Sequence, residues 1–190
     1  MVILTPFSHG ITKRIANEDL SSFDYIFCWL GNTDLLVSII KLIEDKMNLE
    51  HDVSEVGVQI ILLVEDGIRF YSSILPNLYK FVLKQSQEFS TEALNAHQRT
   101  LRMRGRPKIV LARTYNEAIG IYEKYKNNIL GVITDVRFPR VERGEKDALA
   151  GIKLCAAIRK EDPFVPLIIQ SSESENVSYA AKYDAAFIDK

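Results

Sequence analysis

Val58-Gln59-Ile60-Ile61-Leu62-Leu63-Val64-Glu65-Asp66 is the stretch that decides the fold. A run of aliphatic residues with almost no polar alternation is the pattern of a strand buried on both faces, as in a parallel sheet. It closes on two acids, Glu65 and Asp66, and a helical period follows from Gly67. The same design recurs in both directions. Further apolar runs occupy residues 2–4, 25–30, 109–112, 129–133, 166–169 and 185–188. Helical periods occupy 34–48, 67–89 with Pro76 as a kink, 91–103, 116–126, 150–160 and 176–182. Repeated strand–helix units predict an α/β fold with helices covering a parallel sheet.

Composition sets the outer bounds. The chain has 190 residues, 47% hydrophobic and 26% charged, with a net charge of −1. That is the make-up of a folded globular protein and excludes a disordered or fibrous one. Near-zero charge argues against bulk attraction to nucleic acid or to an anionic membrane. The apolar runs fall far short of the ~18 residues that a membrane span needs, and residues 1–4 are too short for a signal segment. Cys28 and Cys155 sit among apolar neighbours and make neither a disulfide framework nor a zinc site. His9, His51 and His97 are isolated, without ligand spacing. A cytoplasmic location is the expectation.

The polar stretch 50–56 reads as a linker between a first block, residues 1–55, and a second, residues 56–190. Two strands and two helices cannot bury enough surface to fold alone. The first block must therefore pack on the second, on another copy, or on sequence outside this chain. In segment 34–48, Leu35, Leu36, Ile39, Ile40, Leu42, Ile43 and Met47 are expected on one side. Asp34, Ser38, Lys41, Asp45 and Lys46 fall mainly on the other, with Asn32 or Thr33 as N-cap.

Ligands of open α/β sheets bind outside the carboxyl ends of the strands. Here those ends read Glu65-Asp66, Thr134-Asp135, Gln170-Ser171-Ser172 and Asp189-Lys190. Close carboxylates repel one another, and a hard divalent cation such as Mg²⁺ relieves that repulsion through oxygen ligands. A carboxylate can also attack phosphorus to give an aspartyl phosphate. Metal, hydroxyl and ammonium groups then neutralise the phosphoryl oxygens.

This ordered set resembles the receiver domain of two-component response regulators, the CheY-like superfamily. The residues that carry the resemblance are Ile61–Asp66, the D-x-x-F-P of Asp135–Pro139, Ser171-Ser172 after Val165-Pro166, and Lys190. It covers about residues 57–190. The resemblance implies a flavodoxin-like, doubly wound five-stranded parallel sheet of order 2-1-3-4-5. It also implies Asp135 as phosphoacceptor, with Mg²⁺ held by Asp66, Asp135 and the backbone carbonyl of Arg137, and by Glu65 through water. Ser171 would contact the phosphoryl group, Lys190 would pair with it, and Phe187 stands at the aromatic switch position.

By the same resemblance, residues 1–55 look like the last strands and helices of a degenerate receiver, a partial β-α-β-α unit with Trp29 where the lysine would stand. Helix 34–48 would resemble its closing helix. The second block reads as a receiver without its final helix, whose place helix 34–48 could fill in cis or from another copy, which makes a homodimer one expectation. Trp29–Asn32, Lys41–Lys46 and Leu101–Arg104 further resemble the receiver-like region ahead of phosphoenolpyruvate-synthase-related proteins. That finer match would place an output or dikinase-like module downstream.

The implied function is a phosphoacceptor switch, not an enzyme beyond its own phosphorylation and dephosphorylation. A histidine kinase or phosphotransfer protein would be its partner. The rival is a pseudo-receiver, a phosphorylation-independent interaction module that regulates a downstream catalytic domain. A phosphatase of the haloacid-dehalogenase type needs Asp-x-Asp, and Arg137 stands at the second acid. Nucleic-acid binding would rest on Arg99, Arg102, Arg104, Arg106, Lys108 and Arg113, and the lack of interleaved aromatics disfavours it. The charged stretch 140–147 reads as an insert bordering the site, and Arg137 as a cation able to pair with Glu65 or with a phosphoryl group.

Overall fold

The computed structural model describes residues 1–6, 23–91 and 105–190. Strands β1 (Val2–Pro6) and β2 (Tyr25–Trp29) form a parallel pair, followed by helix α1 (Asp34–Val56). Then come β3 (Ile60–Val64), α2 (Ile68–Thr91), β4 (Lys108–Ala112), α3 (Tyr115–Tyr125) and β5 (Ile129–Asp135). A small hairpin, β6 (Phe138–Pro139) with β7 (Lys146–Asp147), leads to α4 (Ala150–Glu161), β8 (Leu167–Ser171), α5 (Val177–Lys182) and β9 (Ala186–Asp189). The expected helix at 91–103 lies, apart from its first residue, outside the described residues.

The main sheet has five strands in the order β4-β3-β5-β8-β9, every pair parallel. Counted from β3, that is the doubly wound order 2-1-3-4-5. The chain leaves β3 for one side and returns on its other side at β5, so the switch point lies between β3 and β5. Alternation within β3 divides the core. Ile60, Leu62 and Val64 face Ala118, Tyr122, Leu154 and Ile158 of α3 and α4. Leu63 faces Tyr71, Leu75 and Tyr79 of α2.

The first block packs on the second. Phe27, Leu35 and Leu42 join the core on the α2 face, with Phe27 edge-on to Tyr71 at 5.6 Å between ring centroids. A two-stranded sheet is marginal by itself, and α2 supplies what β2 lacks. Ser72 Oγ accepts from the Cys28 N–H at 3.0 Å, and the Tyr71 hydroxyl donates to the Ile26 carbonyl.

Two expectations for α1 are corrected. Residues 50–56 are no linker, because the helix runs on to Val56 and ends at Gly57, whose φ of 72° is the left-handed cap that glycine adopts freely. Glu50, His51, Ser54 and Glu55 are exposed, while Leu49 and Val53 pack on the core, so the polar composition reflects a solvated helix face. The buried side is Leu35, Ser38, Ile39, Leu42, Asp45 and Leu49, whereas Leu36, Ile40 and Met47 face solvent. The helix turns this way because Asp45 finds buried partners.

Those partners fix α1 to the β4 edge. Asp45, wholly buried, accepts from Arg106 Nη2 at 2.6 Å and Nη1 at 3.1 Å, and from the Tyr79 hydroxyl at 2.8 Å. It also accepts the Ile109 N–H at 3.0 Å, a donor of the outermost strand. Lys108 reaches Asp52 at 2.6 Å. Burial and the Asp45 charge together push the Tyr79 phenol far up, so it stays a donor. Helix α1 thus lies at the opposite edge of the sheet from β9. On β9, Ala186, Ile188 and Asp189 remain exposed.

Candidate functional site

The strand ends converge as their sequence order implied. Glu65 and Asp66 follow β3, Asp135 closes β5, and Lys190 follows β9. One carboxylate oxygen each from Glu65, Asp66 and Asp135 lies within 4.8 Å of the others. Lys190 Nζ sits 2.5 Å from Glu65 Oε2 and 3.0 Å from Asp135 Oδ1, and stands over the Phe70 ring at 4.3 Å. Glu65 is almost fully buried, and its Oε1 accepts the Gly67 N–H at 2.9 Å. Burial, then the Asp135 charge, push its carboxyl up to about 7, against the pull of Lys190.

A close backbone approach holds Asp135 in place. The Gly151 N–H donates to the Val136 carbonyl, and a Cβ at Gly151 would stand 1.9 Å from the Asp135 carbonyl oxygen. Only glycine lets α4 start against the end of β5. The Asp135 Oδ1 atom also accepts the Val136 N–H at 2.8 Å.

Asp66 differs from its neighbours. Its Oδ2 meets Lys146 Nζ at 2.6 Å, while its Oδ1 is buried with no hydrogen-bond partner among the described residues. A buried carboxylate oxygen without a partner is costly and calls for a cation or water. Three hard oxygen donors in reach of one another are the donor set that suits Mg²⁺. A cleft of about 300 Å³ opens beside Asp66, walled by Arg113, Thr114, Glu117, Pro139, Glu142 and Arg143.

The remaining expected residues are placed as follows. Ser171 ends β8, buried, and its Oγ accepts from Asn176 Nδ2 at 2.9 Å and from the Glu173 N–H at 3.1 Å. Its oxygen thus accepts twice from the loop after β8, while the O–H remains a separate donor. Phe187 is half-buried against the α3/α4 core. The Arg137 side chain is exposed, and the pairing with Glu65 is not formed because Lys190 holds that carboxylate.

Two basic residues counted toward nucleic-acid binding, Arg106 and Lys108, are buried on Asp45 and Asp52 and cannot meet phosphates. Arg113 lies over the Tyr25 ring at 6.0 Å, and Arg99, Arg102 and Arg104 lie outside the described residues. Both cysteines are buried and free, and burial pushes the Cys155 thiol up to about 12. Among the described residues no helix is long and apolar enough to cross a membrane.

Sequence reasoning missed Lys146. The insert is a folded hairpin, with Phe138 paired to Asp147 and Pro139 to Lys146. The charge density of 140–147 was visible, but its strand pairing is too short to leave a pattern.

No family model matches the chain, and no curated protein does. Among solved structures, a response regulator receiver domain protein from Clostridium thermocellum aligns over 70% of this chain and 82% of its own. The identity is 23% and the TM-score 0.45. A two-component response regulator of the LuxR family from Aurantimonas sp. SI85-9A1 aligns over 70% and 74%, with 18% identity and a TM-score of 0.40. Similarity at that level carries no function, so the geometry must. The finer resemblance to a phosphoenolpyruvate-synthase-related region finds no support in these similarities.

Proposed function

We propose that this chain is a phosphoacceptor receiver, phosphorylated on Asp135 in a Mg²⁺-dependent step and read out through altered protein contacts. The observation that carries this reading is the convergence of one carboxylate oxygen each from Glu65, Asp66 and Asp135 within 4.8 Å at the switch point of the sheet, on a residue set in which Asp66 also keeps a buried oxygen without a partner among the described residues. Glu65, Asp66, Asp135 and the Arg137 carbonyl would hold the cation. When bound, Mg²⁺ supplies neutralisation of the phosphoryl oxygens.

The chain's own groups do the rest. Lys190 and the Val136 N–H both engage Asp135 Oδ1, which leaves Oδ2 as the attacking oxygen. A bond forms from Oδ2 to phosphorus as the phosphorus–nitrogen bond of a phosphohistidine breaks, and the imidazole keeps the electron pair and takes a proton. Lys190 pairs with the added charge. Ser171 would then turn its O–H to donate to the phosphoryl group, and Phe187 would follow toward the core, which alters the β8–β9 surface. The kinase or phosphotransfer partner, the cytoplasmic setting and the switch-not-enzyme character belong to the same proposal.

A phosphorylation-independent module is the second reading, favoured by the Lys146–Asp66 pair. Beryllofluoride, a phosphoryl mimic, separates the two. A receiver gains thermal stability from beryllofluoride with Mg²⁺ and loses that gain in Asp135→Asn. An unchanged melting temperature in the wild-type chain supports the second reading.

A further inference from the structure

The hairpin that follows β5 is held at both ends. The Asn116 N–H donates to the Arg140 carbonyl at 3.1 Å, tying one arm to the start of α3. On the other arm, Asp147 accepts from the Leu149 N–H at 3.1 Å and from Lys153 at 2.6 Å, tying it to the start of α4. Phe138 at its base is fully buried. Lys146 is therefore aimed at the site by fixed backbone, although half of its side chain remains exposed.

We infer that Lys146 is a built-in counter-cation of the acid cluster, one that weakens the attraction of the site for a divalent ion. This inference rests on the reading of the cluster as a Mg²⁺ site. The charge arithmetic is simple. Three carboxylates face Lys190 and Lys146, so the ionised cluster carries one net negative charge. Without Lys146 it would carry two, matched to Mg²⁺. The ammonium already occupies one oxygen of Asp66, so a cation held by the cluster and the lysine repel across one carboxylate. The hairpin would thus set how much free Mg²⁺ the site needs, and displacing Lys146 from Asp66 would prime it.

Calorimetric titration of the full chain with MgCl₂ tests this without any phosphorylation assay. Lys146→Met is expected to bind Mg²⁺ about tenfold more tightly than wild type, the size of one screened charge term at such distances. Lys146→Arg, which keeps the charge, should stay within about twofold of wild type. Equal affinity in Lys146→Met and wild type would overturn the role of Lys146 while leaving the metal site standing. Absence of binding in all three proteins would overturn the Mg²⁺ reading and this inference with it.

Discussion

Two acidic clusters lie toward opposite ends of the main sheet, and they are built to opposite purposes. At the β4 edge, Asp45 is wholly buried and spent on Arg106, Tyr79 and the Ile109 N–H. At the strand ends, Glu65, Asp66 and Asp135 crowd together around Lys190 and Lys146, with one buried oxygen left over. A carboxylate whose lone pairs are filled by protein donors holds structure together. A cluster that repels itself and leaves an acceptor open is prepared for something that arrives later.

Substitution should separate the two most sharply. Asp45→Ala takes from the buried Arg106 its two-point carboxylate, leaving it Glu44 at 3.8 Å and the Pro107 carbonyl, and strips the β4 edge of its cap, so a loss of about 3 kcal/mol in denaturant unfolding is expected. Asp66→Asn, whose lysine partner is half-exposed, should change metal-free stability by less than about 1 kcal/mol and abolish stabilisation by Mg²⁺. Similar costs for the two would erase the contrast.

Gly151→Ala comes next. Its Cβ would collide with the Asp135 backbone, and the relief of such overpacking is expected to cost about 1–3 kcal/mol. Because the collision displaces Asp135, Mg²⁺ affinity should fall as well. Unchanged affinity would show that the start of α4 does not position the site.

A smaller effect belongs to pH. The Glu65 carboxyl is raised from the ordinary 4.5 to about 7, so the folded chain binds that proton more tightly than the unfolded one. The resulting stability is fully present below pH 4.5 and is lost as pH rises through about 7. Denaturant midpoints in a chelator should therefore decline across that window. A flat profile would mean that Lys190 keeps Glu65 ionised throughout.

How much of this was legible in the sequence follows from where the information sits. The strand ends were readable because parallel strands advertise themselves as apolar runs, and polar residues at their ends then stand out. Glu65, Asp66, Asp135 and Lys190 were found that way and are brought together. Helix α1 was misread because Asp45 looks solvent-seeking until Arg106 and the Ile109 N–H, distant in sequence, close around it. Lys146 escaped for a related reason. A lone lysine in a charged loop gains its meaning from a strand pairing two residues long. Long-range polar pairing leaves no local period to read.

The most direct test of the receiver reading is to incubate the chain with acetyl phosphate and Mg²⁺ and map the product by mass spectrometry of borohydride-reduced peptides. The account predicts a single acyl phosphate on Asp135, absent in Asp135→Asn and absent when a chelator removes Mg²⁺. A chain left unmodified, or modified at another carboxylate, would contradict it.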